Sequence, residues 1–235
     1  MGDAHWRCVA ALTTRTYLPR RGRISKGQAR ALAEFAGQFL VSTEPGSTPI
    51  PDWSTVFGRN APLGLEIGFG MGHALVHWGK QHPDWNLLGI DVYQPGIGSL
   101  LLGMEAHNLV HLRIINEEAS GALTEFFDPA SLDEVRIYFP DPWPKKRHHK
   151  RRLIQPGFVA LLADRIRPGG RLLLASDWQP YAEWMLDVLD RELALTNLAG
   201  PGHFAECDSD RPVTNFEARG QALGFAVWNL AFKRR

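Results

Sequence analysis

Cysteine and long apolar segments are both scarce in this chain of 235 residues. The two cysteines, Cys8 and Cys207, supply neither a disulfide framework nor a CxxC metal site. No apolar run approaches the roughly 20 residues of a membrane-spanning helix, and the amino-terminal apolar stretch is too short for a signal peptide. We therefore expect a cytoplasmic protein with no membrane partner and no metal. The sequence leaves open whether it is a monomer or homodimer.

Acidic residues are missing from two stretches that are rich in arginine and lysine. Residues 145–152, KKRHHKRR, contain six of the 26 basic residues, and residues 15–30 contain six more. The rest of the chain carries 14 basic and 25 acidic residues, a net charge of −11, although the whole protein has +1. Two cationic segments on an acidic body favour a polyanionic partner, whereas either run alone could be a solvated surface.

The hydrophobic pattern divides the chain near residue 52. Residues 1–52 are predicted to form a basic arm, a helix at about 28–41 and a turn-rich linker, and residues 53–235 a single domain. There, amphipathic helices alternate with strands predicted at PLGLEIGF, WNLLGIDVY, LVHLRIIN, LDEVRIYFP and RLLLAS, with LALTNL and FAVWNLAFK last. Residues 167–170, RPGG, are expected to lie between a helix and the fifth strand. The alternation predicts an α/β fold, a parallel sheet with helices on both faces and ligands at the carboxyl ends of the strands.

A glycine-rich turn follows the first strand and opens a helix. Its sequence, EIGFGMG from Glu66 to Gly72, reads ExGxGxG and lacks the final spacing of the dinucleotide fingerprint GxGxxG. Asp91 ends the second strand about 20 residues later, where a carboxylate can hold ribose hydroxyls. A nucleoside cofactor without a pyrophosphate fits this pattern better than NAD does, which predicts S-adenosylmethionine.

Two further carboxylates follow later strands, and each has two interpretations. Glu118 comes after the third strand and could meet the adenine amine or simply begin a helix. Asp177 ends the fifth strand and could face the same pocket or cap the helix that Pro180 begins. His107 and His111 straddle a helix-to-strand turn, so no metal site is expected there.

The fourth strand leads into YFPDPWP, residues 138–144, and the basic run follows at once. Three prolines restrict the backbone and present Asp141 rigidly at the carboxyl edge of the sheet. This arrangement suits a nucleobase site, in which the base stacks on an aromatic ring, its N–H groups donate to the carboxylate and phosphates meet the cations. A proline-stiffened turn whose Asp141 pairs with a neighbouring lysine is the alternative.

Four segments of the chain together resemble one enzyme family. LEIGFGMG, YFPDPWPKKRHHKRR, SDWQPYAEWML and RPVTNFEARGQALG are similar to the bacterial tRNA (guanine-N7-)-methyltransferases, as is the basic segment RGRISKGQ. The resemblance implies a class I methyltransferase fold, Rossmann-like, with seven mostly parallel strands, helices on both faces and the last strand pair antiparallel. It also implies that S-adenosylmethionine methylates guanine 46 in the variable loop of tRNA.

The resemblance assigns roles to individual residues. The cofactor contacts fall on Glu66, Asp91, Glu118 and Asp141, beside the turn residues Gly68, Gly70 and Gly72. The substrate contacts fall on Lys145, Asp177, Thr214, Asn215, Phe216 and Glu217. The RNA-binding residues are Arg147, His148, His149, Lys150, Arg151 and Arg152. The sequence departs from the family where Asp91 and Glu118 exchange one acid for the other, and where Ser176 replaces a common threonine.

Guanine N7 carries a lone pair and no proton, so its methylation needs no general base. Asp141 is the expected catalytic residue, because a carboxylate on the N–H edge would orient the guanine and offset its developing charge. Two other functions stay open. An exocyclic-amine methyltransferase would carry NPPY or DPPY where this chain has FPDPW, and a non-catalytic RNA-binding protein would bind no cofactor.

Overall fold

The computed structural model describes residues 16–17, 22–41, 51–207 and 226–235. Within these ranges the chain forms seven α-helices, seven β-strands and one 3₁₀ helix. In chain order they are α1 (Lys26–Phe39), α2 (Trp53–Phe57), β1 (Leu63–Ile67), α3 (His73–Gln81), β2 (Asn86–Ile90), α4 (Gln94–His107), β3 (Leu112–Ile115), α5 (Ala119–Glu125), β4 (Leu132–Tyr138), the 3₁₀ helix (Lys146–Arg151), α6 (Pro156–Arg165), β5 (Ile166–Ser176), α7 (Gln179–Asp190), β6 (Leu195–Asn197) and β7 (Trp228–Arg234).

The strands form one sheet in the order β3-β2-β1-β4-β5-β7-β6. The first five strands in this order are parallel to one another, and β7 pairs antiparallel with both β5 and β6. The strand order changes direction at β1: β2 and β3 lie on one side of it, and β4 and β5 lie on the other. Open α/β sheets bind ligands at this switch point, between β1 and β4. The predicted α/β fold is confirmed, including the antiparallel strands at the end of the chain.

Burial on both faces explains why the sequences of the central strands do not alternate between apolar and polar residues. All five residues of β1 and all five of β2 are buried, because helices cover both faces of the sheet. Gly64 leaves room for the indole of Trp78 from α3, since a Cβ at that position would lie 2.4 Å from the ring. The helix that follows the glycine-rich turn is thereby held directly against β1.

One part of the fold differs from the pattern seen in the sequence. Residues 167–170 do not lie outside the fifth strand; β5 begins at Ile166 and includes them, with an irregular register beside β4.

The predicted amino-terminal helix is present as α1, and it packs on the sheet domain. Ala31 is fully buried, and just beyond the helix the backbone N–H of Val41 donates to the carbonyl of Ile114 at 2.8 Å. The division at residue 52 stays a prediction, since residues 42–50 lie outside the described ranges.

Candidate active site

The carboxyl ends of five parallel strands bring most of the predicted site residues to one edge of the sheet. The glycine-rich turn follows β1, Asp91 follows β2, Glu118 follows β3, Asp141 follows β4 and Asp177 follows β5. None of the described helices is long and apolar enough to cross a membrane. No cluster of three or more metal-ligating side chains occurs within the described ranges.

The glycine-rich turn is held open by its backbone conformation and by Asp91. Gly68, Gly70 and Gly72 all have positive φ, 74°, 56° and 80°, which glycine adopts without steric cost. The Asp91 carboxylate accepts from the backbone N–H of Gly70 at 2.8 Å and from that of Tyr93 at 2.9 Å. The Asp91 carboxylate thus holds the glycine-rich turn from the end of β2.

Glu66 carries a buried carboxyl group beneath this turn. The residue is 3% exposed, and its Oε2 has no hydrogen-bond partner in the described part of the chain. Burial raises the pKa of Glu66 to about 8; the positive charge of Arg136, its register partner on β4, opposes the rise and Asp91 adds to it. A buried polar atom without a partner is unfavourable, which is consistent with a ligand that supplies the missing contact.

Replacing Glu66 should change how stability depends on pH. The pKa of Glu66 rises from an ordinary 4.5 in the unfolded chain to about 8 in the folded protein. Its contribution to stability is therefore fully present below 4.5 and is lost as the pH rises to about 8. We expect Glu66→Gln to remove this loss, on the order of a few kcal/mol, and so to raise the melting temperature of the ligand-free protein near pH 8 relative to wild type.

Thermal unfolding between pH 5 and pH 9 measures this effect. Glu125→Gln, at an exposed position on α5, is the matched control and should leave the wild-type pH profile unchanged. Parallel pH profiles for wild type and Glu66→Gln would contradict the assignment of a protonated, buried Glu66.

Glu118 is the N-cap of α5, as one of its two interpretations predicted. Its Oε2 accepts from the backbone N–H of Ser120 at 2.9 Å, and its Oε1 accepts from the hydroxyl of Thr16 at 3.1 Å. The carbonyl of Thr16 in turn accepts from the indole N–H of Trp143 at 3.1 Å. The amino-terminal segment therefore bridges the loops that follow β3 and β4. Sequence reasoning missed Thr16, because no local motif marks a contact over more than a hundred residues.

The loop after β4 has an unusual backbone. Phe139 and Trp143 have φ values of 52° and 44°, in the left-handed region that bulky residues rarely occupy. Such residues persist where surrounding contacts hold them, and they are common at functional sites. The half-buried Asp141 lies between them, followed by the buried Trp143. Because His148 packs edge-on to the Trp143 ring and Arg151 lies 5.0 Å over it, this indole is largely enclosed by protein.

Asp177 and Trp178 follow β5 at the same edge. Trp178, not Asp177, is the N-cap of α7, and no side chain caps that helix, so the capping interpretation of Asp177 is wrong. The side chain of the half-buried Asp177 makes no hydrogen bond or ion pair with any described residue. The neighbouring Trp178 side chain is 42% exposed, so a carboxylate and an aromatic surface stand side by side at the opening of the site.

The basic run forms the 3₁₀ helix next to these loops. Lys145, Arg147 and Lys150 are exposed, whereas His148, His149 and Arg151 are half-buried. Arg152 is only 3% exposed and lies inside the protein. The predicted substrate residues Thr214, Asn215, Phe216 and Glu217 lie outside the described ranges.

Solved structures of methyltransferases share this fold. The 16S rRNA methyltransferase KamB superposes with a TM-score of 0.58 at 15% identity, covering 80% of this chain and 96% of that chain. A variant of the 16S rRNA (adenine(1408)-N(1))-methyltransferase from Catenulisporales acidiphilia, with cosubstrate SAM, superposes with a TM-score of 0.51 at 15% identity, covering 80% and 92%. At this low identity the likeness establishes the class I methyltransferase fold and nothing more specific.

Sequence comparison identifies the family. A family model described as "Putative methyltransferase" matches residues 60–230. The tRNA (guanine-N(7)-)-methyltransferase of Paraburkholderia xenovorans (strain LB400) is 50% identical over 221 residues, covering 94% of this chain and 83% of that protein. The protein of the same name from Thiobacillus denitrificans (strain ATCC 25259 / T1) is 47% identical, covering 94% and 95%. The chain contains the glycine-rich turn, the buried carboxylate and the basic run described above. These matches show that it belongs to the tRNA (guanine-N(7)-)-methyltransferase family.

Proposed function

We propose that this protein transfers a methyl group from S-adenosylmethionine to N7 of guanine in tRNA, and that its target is guanine 46 of the variable loop. One observation carries the proposal: the glycine-rich turn, Asp141 and Asp177 meet at a single edge of the sheet, next to a basic surface. A cofactor and a nucleobase bound at that edge would face each other, while the RNA backbone would lie over the cations.

The residues around the glycine-rich turn fit the proposed cofactor. Gly68 and Gly70 leave open space, since a Cβ at either position would meet no atom within 4 Å. Glu66 has an oxygen without a partner among the described residues, and Asp91 lies beside the turn, where a carboxylate can accept from a ribose hydroxyl. When bound, S-adenosylmethionine supplies an electrophilic methyl group on a sulfonium. The protein has to hold that group in line with the acceptor.

Methylation of guanine N7 requires little acid–base catalysis by the protein. The nitrogen has an in-plane lone pair and no proton, so no side chain has to remove one. Positive charge moves onto the purine as the bond forms, which raises the acidity of its N–H groups. A carboxylate that accepts from those groups becomes a stronger partner in the transition state than in the ground state. We assign this role to Asp141.

Asp177 and Trp178 complete the proposed guanine site. Asp177 can accept a hydrogen bond from the base or the ribose, because its side-chain oxygens have no partner among the described residues. Trp178 offers the more accessible aromatic face at this edge, since Trp143 is 6% exposed and Trp178 is 42% exposed. Base stacking on an aromatic ring contributes about 1–3 kcal/mol, so the exposed indole is well suited to hold a guanine that has left its own stack.

The exposed cations of the 3₁₀ helix form the proposed tRNA surface. We expect the double variant Arg147→Gln, Lys150→Gln to bind tRNA more weakly and with a smaller salt dependence. Each lost phosphate contact should reduce the slope of log K against log salt concentration by about 0.7 to 0.9. Binding titrations between 50 and 200 mM salt would measure the slope.

Lys80→Gln is the matched control for this surface. Lys80 is exposed at the carboxyl end of α3, a helix that runs away from the site, so it lies at the opposite edge of the sheet. An unchanged slope in the double variant, or an equal reduction in Lys80→Gln, would contradict the proposed surface.

The proposed function is tested by incubating unmodified tRNA transcript with the protein and labelled cofactor, and then identifying the product nucleoside. We expect 7-methylguanosine, and we expect it to disappear when guanine 46 alone is changed to adenine. A methylated exocyclic amine would favour the other class of nucleic-acid methyltransferase. Tight tRNA binding with no transfer and no cofactor binding would favour a non-catalytic RNA-binding protein.

A further inference from the structure

Arg152 ends the basic run, yet its side chain does not face the solvent. The residue is 3% exposed, whereas Lys146, Arg147 and Lys150 in the same run are exposed. Phosphate contacts require accessible cations at the surface. RNA binding therefore accounts for the exposed members of the run and leaves the position of Arg152 unexplained.

The guanidinium of Arg152 connects the loop after β4 to α7. Its Nε donates to the carbonyl of Pro142 at 3.0 Å, and one terminal nitrogen donates to Nε2 of His149 at 3.2 Å. Its Cζ lies 4.9 Å from the ring centre of Tyr181 on α7. Tyr181 is fully buried, and its hydroxyl accepts from the backbone N–H of Ile154 at 3.2 Å. One side chain thus connects the loop to an anchored aromatic ring.

A buried cation of this kind is unfavourable unless its contacts compensate. Within the described ranges, no carboxylate lies within 4.0 Å of the Arg152 guanidinium, and burial lowers its pKa. The donors of a planar guanidinium can bond to the carbonyl and the imidazole while its face rests on the tyrosine ring. A lysine ammonium has neither the planar face nor the fixed fork, so the arrangement is specific for arginine.

We propose that Arg152 is a positioning residue, which fixes the loop carrying Asp141 and contacts no phosphate. Pro142, whose carbonyl it holds, follows Asp141 directly in the chain. The loop contains two residues in the left-handed region, Phe139 and Trp143, and needs external contacts to keep that shape. Small displacements of a group that orients the substrate reduce the rate strongly. The inference rests on the proposed function, because it places Asp141 at the guanine.

Arg152→Lys tests the inference with the charge retained. We expect the single-turnover rate of methyl transfer, at saturating tRNA and cofactor, to fall about tenfold or more. The salt slope of tRNA binding and the cofactor affinity should match those of wild type. Arg191→Lys makes the same change at an exposed position at the carboxyl end of α7, away from the site, and should keep the wild-type rate. A rate within twofold of wild type for Arg152→Lys, or a reduced salt slope, would overturn the proposal.

Arg152→Ala adds a readout that a purely structural role would not give. The truncated side chain leaves space for a guanidinium ion, so guanidinium at millimolar concentration should restore part of the lost rate. Ammonium at the same ionic strength should not, because it lacks the planar face. Equal recovery with both ions, or none with either in a folded variant, would argue against the positioning role.

The wild-type protein provides a measurement that does not depend on how the variants fold. An arginine-specific dicarbonyl reagent, followed by peptide mass spectrometry, should modify Arg147 in the free protein and spare it when tRNA is bound. Arg152 should be spared in both states. Modification of Arg152 in the free protein together with protection by tRNA would assign it to the RNA surface and overturn the inference. The pattern is informative even if wild type methylates no guanine, so the two proposals can fail separately.

Discussion

Asp141→Asn should slow methyl transfer by about a hundredfold or more while tRNA affinity stays nearly constant. Asparagine keeps the shape of the side chain, removes its charge and places a donor where guanine N–H groups need an acceptor. Phosphate contacts elsewhere supply most of the affinity for RNA, so binding should be insensitive to this change. Single-turnover methylation at saturating tRNA and cofactor isolates the step that Asp141 is proposed to assist.

Asp177→Asn and Asp84→Asn are the companion variants. Asp177 lies at the same edge and should show a smaller loss of rate, whereas Asp84 is an exposed acid in the turn before β2, at the other edge, and should show none. If Asp141→Asn reacts within a few-fold of wild type, Asp141 only shapes the loop. The orienting role would then pass to Asp177 or to Glu217.

Gly70→Asp should abolish cofactor binding without unfolding the protein. The φ of Gly70 is 56°, a conformation that aspartate tolerates better than most residues, and a Cβ there would meet no protein atom within 4 Å. The new side chain would instead enter the space proposed for the cofactor, bringing a carboxylate without a partner. We expect the dissociation constant to rise by at least about a hundredfold, as measured by calorimetric titration.

Gly58→Asp is the matched control for this substitution. Gly58 has a similar φ of 68° and equally open surroundings, but it ends α2 before β1, away from the carboxyl ends of the strands. Both variants should lose a similar, small amount of stability, and only Gly70→Asp should lose the cofactor. Unchanged cofactor affinity in folded Gly70→Asp would remove the glycine-rich turn from the site.

Patterns that are local in sequence predicted the scaffold of the site well. The alternation of apolar strands and amphipathic helices gave the sheet, and parallel strands necessarily bring Asp91, Asp141 and Asp177 to one edge. The helix-capping role of Glu118 was also among the expected interpretations, since an acid before a helix is favourable there. These features depend on a few neighbouring residues and on the geometry of parallel sheets.

Features that depend on distant contacts could not be predicted in this way. A run of basic residues gives no sign that its last member, Arg152, points inward, because that depends on a tyrosine 29 positions further along the chain. Likewise, the hydrogen bonds of Thr16 to the loops after β3 and β4 exist only once the sheet has formed. The raised pKa of Glu66 is a property of burial, which the sequence of the turn does not reveal.

The position of β7 bears on how the chain folds during synthesis. This strand, the last in the chain order, lies between β5 and β6, and β6 pairs with no other described strand. Until it emerges from the ribosome, the long strand β5 presents an unpaired edge of backbone N–H and C=O groups, which favours association with other chains. Release of a nascent chain before residues 228–234 would therefore produce an aggregation-prone product, even though Glu66 on β1 and the loops that carry Asp91 and Asp141 are already present.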